Sequence, residues 1–132
     1  MVSRLDIIRT CKCRTRLGSM GEISKMTSRK IAKKVVDWCR GYFDLTDVKV
    51  KVKVGNFADF NCWGTCYQGN KKHHYNIEVA KDQTIKDFVA TVAHEMVHVK
   101  QWETGRWTGD GEAEAERLQY QLANKMWKHG VL

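Results

Sequence analysis

Proline does not occur among the 132 residues. Chain reversals therefore fall to glycine and to Asn or Asp, and the ten glycines mark most of the candidate breaks. Long apolar runs are also missing. No stretch of about 18 apolar residues is present, which excludes a membrane-spanning helix and a membrane partner of that kind. The opening MVSRLDIIRTCKCRTRLGSM has no continuous apolar core, so no secretory signal is expected. Five cysteines, odd in number and scattered, argue for reduced thiols rather than a disulfide framework. A cytoplasmic location is expected, the host cytoplasm if the chain is viral. Internal repeats and low-complexity tracts are absent as well.

What is present is a chain of single-domain length with 42% hydrophobic and 29% charged residues, which suits a modest globular core. The charge is uneven. Residues 1–53 hold 14 Lys/Arg against 5 Asp/Glu, whereas residues 54–132 hold 9 against 10. Residues 1–24 read as a basic, loosely ordered arm and residues 25–132 as one domain. Such a basic segment either binds nucleic acid weakly or is simply a solvated face.

Hydrophobic spacing predicts the elements of an α+β fold. Thr27 or Ser28 is a candidate cap for a first helix, with Ile31, Val35, Cys39 and Tyr42 or Phe43 on one apolar face. In DVKVKVKVG, valines at 48, 50, 52 and 54 alternate with lysines at 49, 51 and 53, the period of a half-buried strand. Two shorter strands follow around a turn at 69–72, the second near Tyr75–Ala80. The expected sheet is small, three-stranded and mostly antiparallel. Two helices close the chain.

The first of these, residues 84–103, contains VAHEMVHVKQW. At about 100° per residue, Ile85, Phe88, Val89, Val92, Met96 and Val99 form one stripe, and His94 and His98 fall nearly opposite it, one turn apart. Two imidazoles at i and i+4 can share one ion, the physical content of an HExxH pattern. An ordinary wet face would surround them with charge. Here the neighbours are Ala90, Thr91, Val97 and Gln101, and Ala90 and Val97 are small enough to admit another element.

A catalytic zinc site needs a third protein ligand and an open position. The turn TGRWTGDG, with Asp110 as a cap, leads into a last helix over 112–127, where Ala115, Leu118, Leu122 and Met126 form the apolar stripe. Glu112 and Glu116 border that stripe, and a carboxylate there needs a partner or an ion. Glu114 is expected to face away. Glu112, nearest the turn, is assigned as the ligand and Glu116 as the outer group holding a ligating imidazole, with the reverse order of the two left open.

HEMVH together with Glu112-Ala113-Glu114-Ala115-Glu116 resembles the zincin-type metallopeptidases of the gluzincin branch, whose second helix carries an ExxA(D/E) signature. Over roughly residues 75–127 the layout is similar to minimal or SprT-like peptidases of phages and bacteria. The third downstream histidine usual in SprT-like proteins has no counterpart but His129, and the short spacing from His98 to Glu112 indicates a minimal version. The resemblance implies a zincin-like sheet packed on the active-site helix, with a strand edge at 75–80 to pair with an extended substrate. It also implies Zn²⁺ held by His94, His98 and Glu112, peptide-bond hydrolysis with Glu95 as general base, and a protein or peptide substrate. Tyr120, His73, His74, Tyr75 and His129 are candidate oxyanion donors. Cys62, Cys66, His73 and His74 have spacing that could hold a second zinc. Two other classes remain open at this point: a nucleic-acid-associated protein using the basic N-terminal segment, and a non-catalytic regulator with the same fold.

Overall fold

The computed structural model describes residues 10–11 and 25–132. The first two form a short strand, β1 (Thr10–Cys11). The rest of the expected arm, 1–9 and 12–24, lies outside the described residues. From Lys25 the order is α1 (Lys25–Tyr42), β2 (Lys49–Gly55), α2 (Phe57–Phe60), β3 (Gly64–Gln68), β4 (His74–Ala80), α3 (Ile85–Thr104) and α4 (Glu112–Lys128). Among the described residues the architecture is α+β, with four helices and one small sheet.

The helices follow their apolar spacing. α1 buries Ala32, Val35, Val36 and Cys39, one face of a 3.6-residue period. Thr27 and Ser28 do not cap it. Both lie inside α1, and Ser28 is fully buried. The single turn α2 was not expected from periodicity, since four residues carry no period. One of its supports is local, the Asn56 amide donating to Asp59 Oδ2, and the other is long-range, the Phe57 amide donating to Asp82 Oδ1.

The sheet has the order β1-β3-β4-β2. β3 and β4 form an antiparallel hairpin, and β1 pairs antiparallel with β3 at Thr65 and Cys66. β2 and β4 run parallel over seven register pairs, Lys49↔His74 to Gly55↔Ala80. The sheet is therefore mixed, with two antiparallel pairings and one parallel, and it has four strands where three were expected. The chain reverses between β2 and β3 and again between β3 and β4, so β4 regains the direction of β2 and pairs beside it. This topology also corrects the expected substrate edge. Residues 75–80 belong to the strand paired on both sides, so their backbone groups are already committed to neighbouring strands.

α3 is the centre of the molecule. Every residue from Phe88 to Val99 is buried. Its Phe88, Val92 and Met96 stripe joins Val54, Ile77 and Val79 of the sheet in one core, and α4 packs on the helix as well. Ile85, expected in that stripe, is 48% exposed because it begins the helix before the core closes over it. Thr84 caps α3, its hydroxyl accepting from the Asp87 amide.

Candidate metal centre

The polar face of α3 does not meet water. His94 is fully buried and His98 2% exposed, both in the seam between α3 and α4. Ala90 and Val97 are buried beside them, and their small side chains let α4 approach. α4 opens at Glu112, directly after the turn. The Glu112 amide donates to Asp110 Oδ1, so Asp110 satisfies a first-turn donor although Gly111 holds the cap position.

His94 Nε2 lies 3.1 Å from Glu112 Oε1, and His98 Nε2 lies 2.6 Å from Glu112 Oε2. The two Nε2 atoms are 3.3 Å apart. Among the described residues this is the one group of three or more His, Cys, Asp or Glu whose donor atoms converge, all within 4.8 Å of one another. Tetrahedral zinc with bonds of about 2.1 Å separates its ligand atoms by roughly 3.4 Å. The histidine pair already stands at that separation, and the carboxylate would need to withdraw by less than about 1 Å.

The protonation pattern makes the same point independently. Gln101 Nε2 donates to the Gly111 carbonyl and to Glu114 Oε1, which leaves Gln101 Oε1 to face His98 Nδ1 at 2.8 Å. The amide orientation is thus fixed by its other contacts, and His98 must carry its proton on Nδ1. His94 Nδ1 likewise donates to Gln119 Oε1 at 2.8 Å. In both neutral rings Nε2 is then a bare acceptor, aimed at a second bare acceptor and a carboxylate. The 2.6 Å approach of Glu112 Oε2 also lies off the line of a hydrogen bond, so this buried oxygen is short of a donor. Three lone pairs converging without a proton between them call for a cation.

The titration of these groups follows from the same arrangement. Burial pushes the Glu112 carboxyl up, but the imidazoles of His94 and His98 pull it further down, to about 2. Burial pulls His98 down, and it is outweighed by Glu112, Glu95 and Gln101, so His98 ends above its ordinary value. Without an ion, a proton on His98 takes over part of the compensation.

Glu95 is fully buried, one residue past the first histidine. Its charge helps raise His98, which places it electrostatically at the site. It packs under the start of β3, where Gly64 makes room: a Cβ at 64 would sit 2.4 Å from Thr91 Cγ2 and 3.2 Å from Glu95 Oε2. Thr91 is itself pinned, its single hydroxyl proton shared between the Asp87 carbonyl at 2.7 Å and Gln83 Oε1 at 3.1 Å. β3 is therefore the strand nearest the glutamate.

Of the expected site residues, His94, His98 and Glu112 come together and Glu95 lies beside them. Glu116 does not take the outer role given to it. It is exposed on α4, and the two Nδ1 positions belong to Gln119 and Gln101. At about 100° per residue Gln119 projects roughly 20° from Glu112, and Glu116 roughly 40° to the other side. The buried strip of α4, Ala115, Gln119, Leu122, Ala123 and Met126, turns toward the glutamine. Glu114 was expected to face away. It instead accepts from Gln101 and Lys100, contacts that hold its carboxyl below the usual range. Gly111 permits this: a Cβ there would sit 2.2 Å from Gln101 Oε1. The available signal was a glutamine three residues after His98 and another seven after Glu112, both on the inward side of their helices.

The five oxyanion candidates are engaged elsewhere. Tyr120 donates to Asp87 Oδ1, Tyr75 donates to Glu103 Oε2, and His73 Nδ1 lies 2.8 Å from Glu103 Oε1. His129 sits by Trp38, and His74 is on the outer side of the sheet. Nor do Cys62, Cys66, His73 and His74 form a second metal group. Cys66 points into the core, Cys62 Sγ meets the Phe60 carbonyl, and His73 turns to α3.

The two glutamines give a measurable consequence. Gln119→Leu and Gln101→Leu each release one ligating ring from its fixed tautomer, and zinc affinity is expected to fall about 10- to 100-fold. Competition with a fluorescent chelator reads the change, and unaltered affinity in both variants would remove the tautomer argument. No protein-family model matches the chain, and neither a curated protein nor a solved structure matches it.

Proposed function

We propose that the chain is a zinc-dependent metallopeptidase of the minimal gluzincin kind. The observation that carries this reading is the convergence of two Nδ1-protonated imidazoles and one carboxylate with Glu95 buried beside them. Zinc, when bound, supplies Lewis acidity, acidifying water and polarising a scissile carbonyl. His94, His98 and Glu112 hold it. Gln119 and Gln101 accept from Nδ1 of the two rings and orient them with Nε2 forward. Glu95 takes the proton of the attacking water and delivers it to the leaving amine. Its burial against Gly64 and Thr91 keeps the carboxylate out of bulk water, where its basicity would be spent on solvent. The substrate class is a protein or peptide whose scissile bond reaches the side of the site where Glu95 stands.

Purified without chelator, the protein is expected to hold about one zinc per chain and to cleave casein, and a strong chelator abolishes the cleavage. Zinc at stoichiometry with no cleavage of any protein or peptide would leave a zinc-binding regulator. No zinc at all would defeat the reading.

A further inference from the structure

A second chemical surface lies on the other side of the sheet. Cross-strand partners share a face, so Lys49, Lys51 and Lys53 of β2 stand beside His74, Asn76 and Glu78 of β4. All three lysines are exposed. At one end of this face, where β2 and β4 begin, a trench of about 390 Å³ is lined by Lys49, Lys51, Lys71, Asn70, His74 and Asn76, together with parts of their neighbours. Its lining has no carboxylate, and every polar side chain in it can donate a hydrogen bond. The nearest acid on this face is Glu78, opposite Lys53 and two positions farther along the strand.

The turn that forms one wall is built closely. The Gly69 amide donates to the His74 carbonyl, and a Cβ at 69 would lie 3.1–3.3 Å from His74 and Asn76 atoms. His73 holds a left-handed φ of 64°, anchored through its ring to Glu103. That twist sends His73 toward α3 while His74 takes its place on the outer face.

Lysines on an edge strand have an ordinary use, since they discourage pairing with another sheet edge. That explains Lys49, Lys51 and Lys53. It does not explain why the neighbouring turn and strand add Lys71, Asn70, Asn76 and His74 around one concavity. Alternate residues on a strand recur at about 6.6–6.8 Å, close to the spacing of successive phosphates on an extended single strand. Tyr67, in register with Asn76 on the next strand, adds an aromatic ring to the same face, the usual companion of a basic track.

We propose that this outer face, with the trench at its end, binds the phosphate backbone of a single-stranded nucleic acid. The site is separate from the metal centre and does not depend on it. The sheet, rather than the basic N-terminal arm, is the principal contact.

The test uses the full chain and a short fluorescein-labelled oligothymidylate, followed by anisotropy from about 50 to 200 mM salt. The triple variant Lys49→Glu, Lys51→Glu, Lys71→Glu is compared with Arg4→Glu, Arg9→Glu, Arg14→Glu, which changes the charge equally. The milder Lys49→Gln, Lys51→Gln, Lys71→Gln variant guards against misfolding. Expected results are a tenfold or greater loss in both sheet variants, a much smaller loss in the arm variant, and a salt slope reduced by about 2 in the glutamine variant. Chelator leaves binding unchanged. The proposal is overturned if the arm variant loses more than the sheet variants, or if the wild type shows no binding at low salt. It is also overturned if inorganic phosphate shifts the trench amide signals while no oligonucleotide binds, which would make the trench a pocket for a lone phosphate.

Discussion

Glu95→Gln is expected to keep its zinc and lose its peptidase activity, with kcat/KM down by at least about 100-fold. The substitution is nearly isosteric. It preserves the fit under Gly64, where a Cβ would sit 3.2 Å from Glu95 Oε2. It also leaves His94, His98 and Glu112 untouched, so metal content by elemental analysis should stay at the wild-type value. What it removes is the only group of α3 next to the ligands that can take a proton from water: both histidines have Nδ1 donating to an amide and Nε2 turned to Glu112. An amide cannot accept that proton at neutral pH. Removing the Glu95 charge also takes away one of the influences that raise His98. Full cleavage by the glutamine variant would rule out Glu95 as the base, whatever the metal content.

How far this site could be read from the chain depended on which interactions were local. The i, i+4 pair His94 and His98 is a property of one helix, so its common face was legible from spacing alone. Glu112 was legible for a related reason: it begins the next helix after a glycine-containing turn, and its rank above Glu116 followed from its position at the turn. The outer partners were not. Choosing between Glu116 and Gln119 required knowing the angle at which α4 lies on α3, and two residues about 60° apart on a helix are equally plausible until that angle is set. The same holds for the sheet. The alternation of valine and lysine in β2 announced a strand with one wet face, but alternation is blind to the direction of the neighbouring strand. Whether β4 runs with or against β2 is decided by where the β3–β4 hairpin folds back, a long-range choice. The burial of α3 on both sides was half visible: the small residues Ala90 and Val97 beside the histidines indicated that something would pack there, and α4 does.

His98→Ala should abolish stoichiometric zinc binding. The variant leaves one imidazole and one carboxylate, and two protein ligands cannot define a closed-sided site with a single open position. The loss extends beyond one ligand atom. In the wild type, Gln101 ties three groups together, the His98 ring, the Gly111 carbonyl and Glu114. Without the ring, Gln101 Oε1 faces a cavity, and the turn that presents Glu112 loses part of its anchor. Glu112 also loses one of the two imidazoles that hold its carboxyl at about 2, so it becomes easier to protonate just where an ion would need it charged. The thermal consequence can be separated from simple destabilisation. Zinc at about a thousand times its Kd should raise the unfolding free energy of the wild type by about 4 kcal/mol, because it binds only the folded chain. The same zinc should leave His98→Ala unmoved, while Glu95→Gln responds as the wild type does. A zinc-dependent rise in the melting temperature of His98→Ala equal to that of the wild type would mean that the ion binds elsewhere, and the triad would lose its standing as the metal centre.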